Sequence, residues 1–198
     1  PSCVNPLAIF ELIKSVKAIK PIRDYAEITI EINPGTVTWE HFEVYRQAGI
    51  NRISIGVQST HDRLLRSLGR IHNGADCEEA IQMAKQSGFK DISCDLIFGI
   101  PQIGEEPGET FEELQEDLER VTEWGAMHVS AYSIIVEDNT PLNTYFQKKQ
   151  AQEIDGGLER QMYYSIRKYL NTKKIYQYEI SNYAKKFYKS RHNLKYWE

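Results

Sequence analysis

Three stretches of this chain repeat one pattern: Gly49-Ile50-Asn51-Arg52-Ile53-Ser54, Gly88-Phe89-Lys90-Asp91-Ile92-Ser93 and Gly125-Ala126-Met127-His128-Val129-Ser130. The glycines stand 39 and 37 residues apart, at positions 49, 88 and 125. Each follows an amphipathic helical pattern, and each is followed four and five places on by a β-branched residue and a serine that open a strand. That spacing accommodates a strand, a loop, a helix and a turn, so the repeat predicts stacked βα units and a parallel sheet. In parallel barrels the working residues lie just beyond the C-terminal ends of the strands, which is where a site is expected.

The rest of the chain fits that frame. Asn5-Pro6 is an N-cap followed by proline, and Ile9, Leu12, Ile13, Val16 and Ile19 continue with helical spacing until Pro21. Residues 27–32 alternate as a strand and stop at Asn33-Pro34-Gly35. A helix runs from the Thr38 cap to Ala48, a strand over 52–57, a short helix over about 60–68 and a longer one over about 75–87. Strand 91–97, an acidic loop 104–108, helix 109–123 and strand 127–134 follow. After Glu137 the character changes: a helix is expected over 157–170, a strand over 175–180, and then a basic, aromatic tail. The boundary is placed near residue 140.

Several function classes are set aside. No apolar run approaches the ~20 residues that span a bilayer, and no basic-then-apolar leader opens the chain. A net charge of −4 with interspersed signs is no footprint for nucleic acid. Cys3, Cys77 and Cys94 are odd in number and widely spaced, which argues for a reducing compartment and against a disulfide framework or a compact metal site. A cytoplasmic location is expected. The start at Pro1-Ser2 and the stop at Trp197-Glu198 lead us to expect a piece of a longer protein.

Polar residues gather at the predicted strand ends. Glu31 ends the first strand, Gln58 follows the second, Asp95 lies in the third, Glu137 follows the fourth, and Arg70 comes after the short helix. Taken singly, Glu31 is a solvated edge residue, Asp95 a turn cap and Arg70 a surface cation. Together on one rim they form a set that can hold hydroxyls, an amine and a carboxylate. No Walker-type loop or nucleophile elbow is present, and Gly99-Ile100-Pro101 reads as a turn.

At these residues the sequence resembles a known family. Glu-Ile-Asn-Pro-Gly-Thr (31–36), Asn-Arg-Ile-Ser-Ile-Gly-Val-Gln-Ser (51–59), Leu-Gly-Arg-Ile-His (68–72) and Asp-Leu-Ile-Phe-Gly-Ile-Pro (95–101) are similar to segments of the radical S-adenosylmethionine (SAM) proteins related to oxygen-independent coproporphyrinogen III oxidase. Tyr-Glu-Ile-Ser-Asn-Tyr-Ala (178–184) and His-Asn-Leu-Lys-Tyr-Trp (192–197) narrow the resemblance to the branch of HemW-type haem chaperones, whose HNxxYW motif the latter matches.

The resemblance implies an α/β fold, a fragment of a partial (β/α)6 TIM-like barrel over residues 1–140. Residues 141–198 would then hold the last barrel elements and the link to a C-terminal accessory region. It implies SAM contacts at Glu31, Gln58, Arg70 and Asp95, a 4Fe–4S cluster, and haem or porphyrin as the ligand handled. Respiratory haem proteins are the expected acceptors. His192 becomes the candidate haem ligand and Tyr196 and Trp197 a flat apolar surface. In the plainer alternative, His192 and Asn193 bond locally and the aromatics pack a further domain.

The chain departs from the family in lacking the CxxxCxxC cluster segment, so no metal ligands are expected within it. As it stands it should bind no cluster and cleave no SAM; the function belongs to the parent protein. Haem chaperoning is the first expectation, oxidative decarboxylation of coproporphyrinogen III the second, and a barrel enzyme without SAM the third.

Overall fold

The computed structural model describes residues 1–197. In chain order its elements are helix α1 (Pro6–Ile19), strand β1 (Thr29–Ile32), α2 (Trp39–Ala48), β2 (Arg52–Gln58), α3 (Asp62–Ser67), α4 (Gly74–Gln86), β3 (Asp91–Phe98), β4 (Gln102–Ile103) and α5 (Phe111–Trp124). These are followed by β5 (His128–Ser133), α6 (Pro141–Gln147), β6 (Ala151–Gln152), α7 (Gly156–Thr172), β7 (Tyr176–Gln177), β8 (Asn182–Ala184) and α8 (Arg191–Leu194). One six-stranded sheet runs in the order β1-β2-β3-β5-β8-β7. Its first four strands are parallel, β8 pairs antiparallel to β5, and β7 antiparallel to β8.

The repeat is the parallel part of this sheet. Gly49, Gly88 and Gly125 all have positive φ (93°, 87° and 101°) and turn a helix end back into the next strand. Two of the three Ser positions come into register: Ser54 faces Ser93 across β2 and β3, whereas Ser130 of β5 faces Asp95, two residues further along β3. Alternate residues of these strands (Ile53, Ile55, Ile92, Cys94, Leu96 and Val129) join the core beneath the helices. Burying one such side chain is worth roughly 1.5–3 kcal/mol.

The expected strand over 175–180 is two short strands and a turn. Tyr176 and Gln177 pair, but the Glu179 carboxylate accepts from the Ser181 backbone N–H at 2.8 Å and the Tyr178 N–H donates to the Asn182 carbonyl at 3.1 Å. That local capture folds the segment into a hairpin. The first strand starts at Thr29 rather than residue 27, because Asn51 takes the Ile28 backbone N–H through its side chain. Helix α6 was not anticipated; Thr140 caps it, accepting from the Asn143 N–H at 3.2 Å, with Pro141 next. Helix α1 forms as its spacing predicts. Ile9 and Ile13 pack on the core, but Leu12, Val16 and Ile19 of the same stripe stay exposed.

Candidate functional site

The face of the parallel strands away from the helices is polar. Glu31 on β1, Arg52 and Ser54 on β2, Ser93 and Asp95 on β3 and Ser130 on β5 alternate with the core positions and point to the concave side. This face surrounds two cavities. The smaller, about 230 Å³, is lined by Glu31, Gln58, Arg70 and Asp95 together with Asn33 and Gly56. All four rim residues singled out from the motifs therefore line one space. Glu137 does not: it lies exposed in the loop after β5 and lines neither cavity.

Each of the four is placed by its local backbone. Gln58 ends β2 at φ 67°, beyond a register shift between Ile55 and Gln58. A non-glycine residue held there is costly, of order 1–3 kcal/mol, and the bulge aims the amide into the cavity instead of along the ladder. Arg70 follows Gly69 at the end of α3, where its N–H bonds the Leu65 carbonyl at 2.9 Å. Glu31 and Asp95 come from neighbouring positions on β1 and β3, with Ser54 of β2 between them.

Asp95 is the most constrained. Ser54 Oγ donates to its two oxygens at 3.1 and 3.0 Å, and Ser93 Oγ donates at 3.4 Å. Burial raises its carboxyl above the ordinary range and the Glu31 carboxylate adds to that, while the Ser130 and Ser54 hydroxyls and Arg52 oppose it. A ligand supplying hydroxyl or ammonium donors to this pair of acids relieves that imbalance, and Arg70 can meet a carboxylate at the other end.

The loop after β3 lines a separate cavity through Ile100, Pro101 and Gln102. Gly99 sits at φ 73°, and its N–H donates to Glu109 Oε2 at 2.6 Å, with the Ile100 N–H at 3.3 Å. Glu109 is buried and its carboxyl is pushed up to about 8, by burial first and by Asp117 second. Sequence reasoning missed Glu109, since directly before the Thr110 cap it looks like an ordinary acidic residue. Substituting Gly99 by Val puts a β-branched residue at positive φ and should cost about 1–3 kcal/mol of stability. A Gly99→Val protein unchanged in urea unfolding would show that this turn carries no strain requirement.

The larger cavity, about 550 Å³, shares Glu31 and Asp95 with the first and extends along the polar face past Arg52 to His192 and Asn193. His192 thus stands near the strand starts, at the far end from Gln58 and Arg70. Its segment is tied down by Glu27, whose carboxylate accepts from the backbone N–H of Arg191 at 2.8 Å and from Ser190 Oγ at 3.4 Å. The His192 ring lies edge-on to Tyr196, with Nε2 3.4 Å from the Tyr196 hydroxyl, and both Tyr196 and Trp197 are exposed.

The thiols of this chain do not suit an iron–sulfur cluster. Burial pushes the Cys77 thiol up to about 12 and the Cys94 thiol well above the usual range, whereas cluster ligation needs thiolates. Cys3 is exposed and alone. Among the described residues no three His, Cys, Asp or Glu side chains converge on a metal position.

Residues 4–121 match the family model of the Radical SAM superfamily. Curated relatives named heme chaperone HemW align along most or all of the chain. The one from Haemophilus influenzae is 38% identical over 197 residues, 100% of this chain and 49% of the relative. That from Bacillus subtilis is 36% identical over 181 residues, 91% of this chain and 46% of the relative. That from Escherichia coli is 36% identical over 197 residues, 100% and 50% respectively. The chain spans about half the length of the curated relatives it matches. Among solved structures, coproporphyrinogen III oxidase (HemN) from Escherichia coli, a radical SAM enzyme, superimposes with a TM-score of 0.78 over 92% of this chain and 40% of that one, at 22% identity, a likeness of fold.

Proposed function

This chain belongs to the Radical SAM superfamily, and from that membership we propose that the protein containing it is a haem chaperone that binds haem and passes it to haem proteins, with SAM held on the rim. The observation that carries the reading is the convergence of Glu31, Gln58, Arg70 and Asp95 on one cavity, in a chain that aligns throughout with proteins named heme chaperone HemW. The donor set suits SAM: acids for the ribose hydroxyls and the ammonium, Arg70 for the carboxylate, Gln58 for either kind of group. When bound, SAM and a 4Fe–4S cluster supply the radical chemistry for which the superfamily is named. With Cys77 and Cys94 unsuited to a cluster, its thiolates come from outside these residues.

Haem belongs to the other end of the polar face. The His192 imidazole is the proposed iron ligand, and exposed Tyr196 and Trp197 offer flat apolar surface to a macrocycle. Respiratory haem proteins are the proposed acceptors and the cytoplasm the proposed location. Among the described residues no helix is long and apolar enough to cross a membrane.

The second reading is oxidative decarboxylation of coproporphyrinogen III, which the likeness of fold to HemN keeps in play. A haemin titration of the full-length protein, wild type beside His192→Ala, separates them. Saturable binding followed by the Soret band, and weakened by the substitution, is expected. Absence of specific haemin binding together with turnover of coproporphyrinogen III would move the assignment to the oxidase. The rim is tested independently. Arg70→Ala should weaken SAM binding by roughly 1.5–3 kcal/mol, about 10- to 150-fold, through loss of a charge-assisted pair. Unchanged SAM affinity in isothermal titration would remove Arg70 from the site.

A further inference from the structure

Along the larger cavity, from Asp95 to Asn193, runs a row of polar groups whose middle members neither ligand reading uses. His128, fully buried at the start of β5, has Nδ1 2.8 Å from Ser93 Oγ and Nε2 2.7 Å from the Tyr178 hydroxyl. Ser93 Oγ reaches Asp95 Oδ1 at 3.4 Å. At the other end the Tyr178 oxygen receives the Ser190 backbone N–H at 3.3 Å and Asn193 Nδ2 at 3.4 Å. The row therefore runs unbroken from the acid shared by both cavities to the asparagine beside His192.

Its polarity is determined from both ends. A backbone N–H and an amide NH₂ can only donate, so the Tyr178 oxygen accepts from Ser190 and Asn193, and its own proton goes to His128 Nε2. Burial holds His128 far below its usual range, at about 3, so the ring is neutral. With Nε2 accepting, the single ring proton sits on Nδ1 and is donated to Ser93 Oγ. The Ser93 hydroxyl hydrogen is then left for the Asp95 carboxylate. Every donor along the row has an acceptor, and every bond points from the His192 segment towards the rim. Reversing any link would set two donors or two acceptors face to face at low dielectric.

We propose that His128 is a positioning residue that couples the rim cavity to the His192 segment, through Ser93 and Asp95 on one side and Tyr178, Ser190 and Asn193 on the other. This rests on the reading of the rim as the SAM site and adds to it a defined route. A donor arriving at Asp95 competes with Ser93 for the carboxylate. Ser93 then relaxes its hold on His128, and Tyr178 shifts against the Ser190 N–H and Asn193 amide that it holds, beside the Glu27 anchor of the same segment. Coupling of this kind is reciprocal, so haem at His192 alters SAM affinity by the same factor.

The test uses the full-length protein carrying its cluster. Selective ¹⁵N labelling of histidine, with the His128 signal assigned by its loss in His128→Gln, is expected to show the Nδ1–H tautomer; an Nε2–H tautomer overturns the proposal. Hydrogen exchange at the amides of residues 190–193 is expected to change about fivefold or more when SAM is added. Ser93→Ala breaks the row while leaving Tyr178 on its partners: SAM should still bind, and the exchange response should fall below about twofold. A response that persists undiminished in Ser93→Ala overturns the proposal, because a structural contribution alone would not remove a ligand-dependent signal. If the wild type fails to bind SAM, the rim reading fails on its own. The tautomer, and exchange at the Ser190 backbone amide accelerated by Tyr178→Phe without ligand, then still decide the role of His128.

Discussion

Replacing Gly74 with alanine is expected to destabilise the protein by about 3 kcal/mol or more, the upper range for forcing atoms into a packed site. Gly74 opens α4 directly after the Asn73 cap, and its Cβ would stand 2.4 Å from the Thr60 carbonyl oxygen. Thr60 cannot give way. Its N–H and hydroxyl donate to the buried Asp117 carboxylate at 2.7 and 2.6 Å, and Arg120 donates to its carbonyl at 3.2 Å. The Gly74 N–H is itself tied to Asp62 Oδ1 at 3.0 Å. Because Thr60 lies two residues beyond Gln58, the displaced backbone should disturb the rim as well. Equilibrium urea unfolding and SAM titration of Gly74→Ala check both consequences; a loss below about 1 kcal/mol would mean that the 58–60 turn is softer than its bonds imply.

The second large effect is a pH dependence centred on Glu109. Its folded-state value of about 8 lies above the ordinary 4.5, so between those values the folded state binds the proton that the unfolded chain has released. Stability therefore falls as pH rises from about 4.5 towards 8. Asp91, pushed up to about 6 by burial, acts in the same direction over a lower window. His128 acts oppositely: its value of about 3 lies below the ordinary 6.5, so stability is lost as pH falls from about 6.5 towards 3. Glu109→Gln keeps an acceptor for the Gly99 N–H and removes the titration. It is expected to be more stable than the wild type at pH 8, to differ less at pH 5, and to show a shallower slope between them in urea unfolding. Parallel slopes for the two proteins would show that Glu109 is ionised in the folded state at little cost.

The sheet was legible in the sequence because its signals are local and periodic. The three Gly-to-Ser repeats announce parallel strands, and the caps at Asn5, Thr38 and Gly49 are written in two or three adjacent residues. The rim set was legible for a related reason: in a parallel sheet every strand ends on the same side, so polar residues at those ends must share one edge. Glu137 shows the limit. It follows the fourth strand in sequence, but the exposed loop carries it away.

What the sequence determined by itself is the alternation of core and polar positions along the strands, the helix ends, and membership of the family. What only the tertiary structure decided are the contacts whose partners lie far apart in the chain: His128 with Tyr178 fifty residues on, Glu27 with Arg191 across nearly the whole chain, and Thr60 with Asp117. No short window records them, because a buried polar side chain looks the same in sequence whether it meets water or a partner. The exposed stripe on α1 has the same origin. Helical propensity is local, but a face left without a neighbour is settled when the elements pack and every buried donor has to find its acceptor.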